Sequence, residues 1–226
     1  MASQLPLDLS HQVSLHRDDL IESNANHTAI AMVDAWPDWP GSVTVLAGPV
    51  GSGKTHIASV WAGLAEAQTI VASQFGKDHE RWVAAASEGN NLLIEDMGEG
   101  FDTENGLFHL LNAIKTSGAF CLITSRSWPR EWDIKLPDLR SRLMAAQLVE
   151  LAEPDDILLQ QVMVKLFADR QLNVEPSVVD YCVVRMERSL ESAARLVEAI
   201  DKTALSSRRM ISRNTASLAL QELGMA

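Results

Sequence analysis

The octapeptide Gly48-Pro49-Val50-Gly51-Ser52-Gly53-Lys54-Thr55 fits the pattern G-x-x-x-x-G-K-[ST] at every specified position. A loop of this kind is suited to holding phosphate. Its glycines let backbone N–H groups close around an anion, and the following helix turns its partially positive N-terminus onto the same point. Lys54 is expected to reach the β- and γ-phosphates and Thr55 to hold Mg²⁺, with His56 next along the helix. A Val- and Leu-containing run leads into the loop and a helical pattern leaves it, which is the context the motif requires. The implied ligand is ADP or ATP with Mg²⁺.

A second group of reactive side chains stands at the end of Leu92-Leu93-Ile94-Glu95-Asp96. A phosphate-loop protein needs an acidic residue at a neighbouring strand end to hold the metal's water shell. Adjacent residues leave a strand in opposite directions, so one carboxylate faces the metal and the other polarises the attacking water. Spacing leaves the choice open; Glu95 toward the metal and Asp96 toward the water is the preferred assignment. A third candidate is the strand end Thr124-Ser125-Arg126, where a polar side chain such as Ser125 would sit between the acids and the γ-phosphate. Strands also end in Thr or Ser for turn chemistry alone.

These groups need a scaffold that brings several strand ends together. Short apolar runs at Val43 to Ala47, Thr69 to Ala72, Leu92 to Glu95, Phe120 to Thr124 and Leu148 to Leu151 alternate with helical spacing at His56 to Ala67, Trp82 to Glu88 and Gly106 to Lys115. The alternation predicts an α/β fold: a parallel sheet with crossover helices on its faces. Beyond Pro154 only helical pattern remains, over Asp155 to Asp169, Pro176 to Met186, Leu190 to Ser206 and Thr215 to Leu223, so a small all-α lid is expected to follow the sheet. Ahead of the sheet, a helix capped at Asn24 is expected to end at Trp36-Pro37-Asp38-Trp39-Pro40. The expected organisation is an extended tail over 1–15, a nucleotide-binding α/β unit over 16–152 and the helical lid over 153–226.

With 226 residues, 46% hydrophobic and 22% charged, the chain can bury a sizeable core. A net charge of -11 weighs against a broad DNA or RNA surface, which needs clustered Lys and Arg. The stretch Arg208 to Arg213 is basic but reads as a solvated turn between helices. Cys121 and Cys182 each lie in an apolar run and read as buried thiols. The six histidines lack metal-ligand spacing. Trp36 and Trp39 read as packing of a linker against the core. No apolar run approaches the roughly 18 residues of a membrane span, so the cytoplasm is the expected compartment.

The order of features resembles the AAA+ ATPases: phosphate loop, two-acid strand end, Thr-Ser strand end, Leu139-Arg140-Ser141-Arg142-Leu143, then a helical lid. Within them the chain looks like the bacterial initiator DnaA from about residue 16 to 222. The resemblance is carried by LLIEDM, ITSRSWP, LRSRL and the lid that starts at Pro154-Asp155-Asp156. It implies that Arg142 is an arginine finger, a cation that reaches the γ-phosphate held by a neighbouring subunit. Gln4-Leu5-Pro6-Leu7-Asp8-Leu9 is similar to the Q-L-x-L-x-L peptide that docks on the replicative sliding clamp of DNA polymerase III. Gln4, Leu5, Leu7 and Leu9 would fill its pockets in extended form. The domain with which initiators read origin DNA is not expected after the lid.

Together these features resemble the Hda family of DnaA-related regulators. That resemblance implies a clamp-bound, nucleotide-bound protein that stimulates ATP hydrolysis by DnaA and thereby inactivates it. Its own ATPase would be weak, it would make no sequence-specific DNA contact, and homodimer formation stays open. The chain departs from the pattern at two places. Arg126 stands where DnaA proteins usually carry an Asp after Thr-Ser, and Glu191 aligns with the lid arginine that touches the phosphates. Arg188, one turn before Glu191, is preferred for that role over Arg195, one turn after. A helicase loader of the DnaC type is the alternative reading, though it would need an N-terminal helicase-binding region. A small-molecule kinase is a third, though its substrate lid would be inserted between strands.

Overall fold

A computed structural model describes residues 16–98, 103–207 and 210–225. Five parallel strands form one sheet: β1 (Val43–Ala47), β2 (Gln68–Val71), β3 (Leu92–Met97), β4 (Cys121–Ser125) and β5 (Gln147–Glu150). Their order is β2-β3-β4-β1-β5, so the chain crosses from β1 to the far edge and returns strand by strand. All strands run the same way, so the C-terminal ends of β1, β3 and β4 share one edge.

Alternation along each strand sends side chains to both faces, and both are covered. Val45, Leu92, Ile94, Cys121 and Ile123 pack with Phe75, Leu107, Leu110, Ile114 and Leu139. These come from α3 (Ala72–Phe75), α5 (Glu104–Ser117) and α6 (Pro137–Met144), with α4 (His79–Ser87) contributing Ala86. On the opposite face Leu46, Leu93, Leu122 and Val149 meet Ile30 and Val33 of α1 (His27–Asp34) and Ile57 and Trp61 of α2 (Lys54–Leu64). Trp39 is part of this second core. It stacks on Trp61 with ring centroids 5.2 Å apart, and its indole N–H donates to the Met32 carbonyl at 2.7 Å.

The lid is four helices, α7 (Asp156–Asp169), α8 (Pro176–Val183), α9 (Leu190–Ser207) and α10 (Arg213–Glu222), with a core of their own. Met163, Phe167, Val179, Cys182, Leu196, Ile200 and Leu220 are at its centre. Side chains cap the N-termini of α7, α9 and α10, with the Ser189 hydroxyl accepting from the Ser192 N–H at 3.2 Å ahead of α9. The Asp155 carboxylate accepts from the Leu158 N–H at 2.7 Å, and Ser212 and Thr215 cap α10 reciprocally. Both cysteines are free and buried, which pushes the Cys121 thiol up to about 12 and Cys182 up to about 11.

Several expected boundaries shift. The cap position of α1 is Asn26, not Asn24: its side chain accepts from the Ser23 N–H and donates to the Ile21 carbonyl. β2 stops at Val71 because Ala72 already begins α3, and β3 runs on through both acids to Met97. No helix among the described residues is long and apolar enough to cross a membrane. The clamp-like peptide with Gln4, Leu5, Leu7 and Leu9 lies outside the described residues, as do Arg208 and Arg209.

Candidate functional site

The phosphate loop joins the buried end of β1 to the start of α2. Gly51 (φ 75°) and Gly53 (φ 97°) are left-handed, which lets the loop turn its amides inward. Lys54 is 8% exposed and donates to the Gly48 carbonyl at 2.7 Å and the Pro49 carbonyl at 2.6 Å. Burial pulls its ammonium below the ordinary value, Asp96 acts to raise it, and Arg126 adds to the lowering. Buried Ser52 carries a hydroxyl with no hydrogen-bond partner among the described residues. An orphaned hydroxyl inside a phosphate loop is the kind of group a bound phosphate oxygen satisfies.

The two acids are separated by a bulge. Ile94 pairs with Ile123 and Met97 with Ser125, so three residues of β3 span the register of two on β4. Asp96 absorbs the extra residue with φ 56°, and its N–H is held by the Thr124 hydroxyl at 3.1 Å. The two carboxylates consequently diverge. Glu95 accepts a hydrogen bond from the Thr55 hydroxyl, and burial, then the nearby Asp96 charge, raise it above the ordinary carboxylate value. Asp96 lines the cavity in front of the loop. Thr55 and Glu95 together offer hard oxygen donors of the kind Mg²⁺ takes, so the residues present fit the cation.

That cavity, of about 900 Å³, is large enough for a nucleotide. Val50, Gly51, Ser52, Gly53, Lys54, Thr55 and His56 form its floor, and Asp96 and Arg126 stand at the strand ends. Asp19, Leu20, Ile21 and Asn26 close one side, while α7 and α9 of the lid close the other. Lid and loop touch directly. The Leu190 N–H donates to the Gly51 carbonyl at 2.8 Å, and a Cβ on Gly51 would come within 2.0 Å of the Ser189 hydroxyl.

Two expectations change. Ser125 is fully buried and its hydroxyl donates to the Met97 carbonyl at 2.7 Å, so it ties β4 to the bulge and does not face the cavity. Thr124 is the strand-end side chain that bonds Asp96, at its backbone N–H; period-2 alternation beside a bulge could not distinguish the two. Arg188 pairs with Asp156 at 2.8 Å outside the cavity lining, and Arg195 does not line it either. Glu191 does line it, because the helix begins at Leu190 and turns that residue toward the loop. Arg142 lies on α6, outside the cavity lining, with its guanidinium 5.1 Å from the Phe108 ring centroid.

No family model matches the chain. It is 22% identical over 227 residues to an uncharacterized protein of Haemophilus influenzae, covering 92% of this chain and 94% of that one. Its structure is similar to domain III of the replication initiation protein DnaA from Thermotoga maritima, with a TM-score of 0.74, 18% identity, and 92% of this chain and 96% of that one covered. AMPPCP-bound DnaA from Aquifex aeolicus is similar at a TM-score of 0.70 and 19% identity, over 85% of this chain and 66% of that one. The Holliday junction branch migration motor RuvB of Thermotoga maritima reaches 0.72 at 18% identity, over 91% of this chain and 71% of that one. The fold is an AAA+ fold. At these identities the likeness carries the architecture: a phosphate-loop parallel sheet between helices, followed by a helical lid.

Proposed function

We propose that this chain is a nucleotide-bound AAA+ regulator of DNA replication initiation, which docks on the sliding clamp through Gln4, Leu5, Leu7 and Leu9 and stimulates ATP hydrolysis by DnaA. The supporting observation is the position of Arg142. From α6 its guanidinium is held over Phe108 of α5, and it takes no part in lining the chain's own nucleotide cavity. A cation presented this way suits a phosphate held by a neighbouring molecule, where it would neutralise charge developing on the γ-phosphate. In this reading Lys54 and the loop hold ADP or ATP, and Thr55 and Glu95 hold Mg²⁺. Asp96 orients water for whatever hydrolysis the chain performs itself. The acidic net charge suits protein partners better than a broad nucleic-acid surface.

The test is ATP hydrolysis by DnaA in the presence of DNA-loaded clamp and this protein. Gln4→Ala is expected to lose stimulation together with clamp binding. Arg142→Ala is expected to lose stimulation with clamp binding intact. Full stimulation by both variants would rule the mechanism out.

A further inference from the structure

The electrostatics of the nucleotide cavity are lopsided. On the lid side, the charged residues lining it are Lys165, Asp169, Arg170 and Glu191. Lys165 is already engaged, by Asp19 at 2.9 Å and Asp169 at 3.0 Å. Arg170 donates to the Leu166 carbonyl at 3.1 Å, closing on its own helix. Arg188, two residues before the Leu190 amide that bonds the loop, is held by Asp156. Among the described residues, each lid cation lining the cavity already has a partner within the protein, a carboxylate pair for Lys165 and a backbone carbonyl for Arg170, and Glu191 adds an anion.

Arg126 differs. It projects from the loop after β4, is exposed, lines the cavity, and has no hydrogen bond or ion pair with any described residue. It lines the same cavity as the Lys54 ammonium. Two like charges left together in one cavity cost free energy unless an anion sits between them. On the loop and strand-end side of the lining Asp96 is the carboxylate beside these two cations, and a polyphosphate would add negative charge there. The position also fixes which phosphate is meant. The loop amides and Lys54 cradle the inner phosphates, whereas Arg126 follows directly on Thr124 and Ser125, the residues that hold the Asp96 bulge. That is the side on which the metal-binding acids and the terminal phosphate lie.

We infer that Arg126 is a phosphate-binding residue in cis, which contacts the terminal phosphate of a nucleoside triphosphate and supplies a cation where those of the lid already have partners. The inference rests on the nucleotide-binding reading of the cavity. A guanidinium can engage two phosphate oxygens at once, so a lysine would replace its charge but not its fork.

The experiment is calorimetric titration of the full-length protein with Mg·ATP and with Mg·ADP, for the wild type, Arg126→Ala, Arg126→Lys and Lys54→Ala. Arg126 is exposed, so apo melting temperatures of its variants are expected to match the wild type, and Arg126→Lys serves as the second variant if the alanine form folds poorly. Arg126→Ala should weaken ATP binding about tenfold or more, the scale of one charge-assisted contact, and ADP binding about threefold or less. Arg126→Lys should fall between the alanine variant and the wild type. Lys54→Ala should weaken both nucleotides. Wild-type affinity for ATP in Arg126→Ala overturns the inference while leaving the cavity a nucleotide site. Equal weakening of ATP and ADP overturns the terminal-phosphate assignment. Absence of binding to either nucleotide by the wild type overturns the nucleotide reading itself, and the inference with it.

Discussion

Glu95 carries an unusual load for a carboxylate two residues from a strand end. Burial and the Asp96 charge hold it above its ordinary value, with the Thr55 hydroxyl opposing them. A carboxylate whose value is higher in the fold than in the unfolded chain favours the folded state most when protonated. Its contribution is complete below the unfolded value and is lost as pH rises through the folded one. Without nucleotide or metal, Glu95→Gln is therefore expected to gain stability relative to the wild type as pH rises from about 4 toward 7. Thermal melting across that range checks the sign. A constant difference, or one that shrinks with pH, would show that Glu95 is not held in this way. A cation bound at Thr55 and Glu95 should reverse the trend, because it favours the ionised carboxylate.

The phosphate loop was legible from residue types alone because its chemistry is backbone chemistry: glycines at turns, a lysine and a hydroxyl at fixed spacing. The acids were legible as a pair but not as individuals. Which one turned toward Thr55 depended on the bulge between Ile94 and Met97, and a bulge is a register relation between two strands. The same relation exchanged Ser125 for Thr124 at the strand end.

At the scale of elements, the contact that matters most is between α9 and the phosphate loop. Gly51 is left-handed, and the space a side chain would take is filled by Ser189, so a methyl group there meets both backbone strain and collision. Gly118, after α5, is equally left-handed but faces open space. Gly118→Ala should cost about 1 kcal/mol, the usual penalty for a side chain in that conformation. Gly51→Ala should cost more than that and should also speed exchange of the Leu190 amide, by pushing the lid off the loop. Equal losses in urea unfolding, with Leu190 unaffected, would mean that lid and loop are not coupled through this contact.

Helix periodicity located the lid elements well, and α9 begins at the expected Leu190. It could not say which side of α9 would meet the loop. Arg188 was the chemically attractive choice, but it precedes the helix and falls within reach of Asp156 instead. The element order also left α3 unseen: four residues, Ala72–Phe75, are too few for a helical period to register.

Across the whole molecule, three hydrophobic clusters divide the core: one on each face of the sheet and one inside the lid. The lid cluster shares no residue with the other two, so damage to it should stay local. Phe167, 1% exposed, is among the largest side chains in that cluster. Phe167→Ala should cost about 3–5 kcal/mol within the lid. It should raise hydrogen exchange over α7 to α10 while β1 to β5 keep their protection. Uniform loss of protection across sheet and lid would show a single cooperative unit and contradict a separate lid spanning residues 153–226.

The sequence by itself determined the chemistry that could be present and the class of scaffold. A phosphate loop, paired acids and an arginine at Leu139 to Leu143 are local facts, and alternation of strand and helix is a periodic one. Tertiary structure alone decided strand order, the bulge that separates Glu95 from Asp96, the withdrawal of Ser125 and Arg188 from the cavity, and the exposure of Arg126 within it. The physical reason is common to all of them. Each is set by which side chains and backbones meet across long separations in the chain, and neither composition nor spacing encodes those meetings.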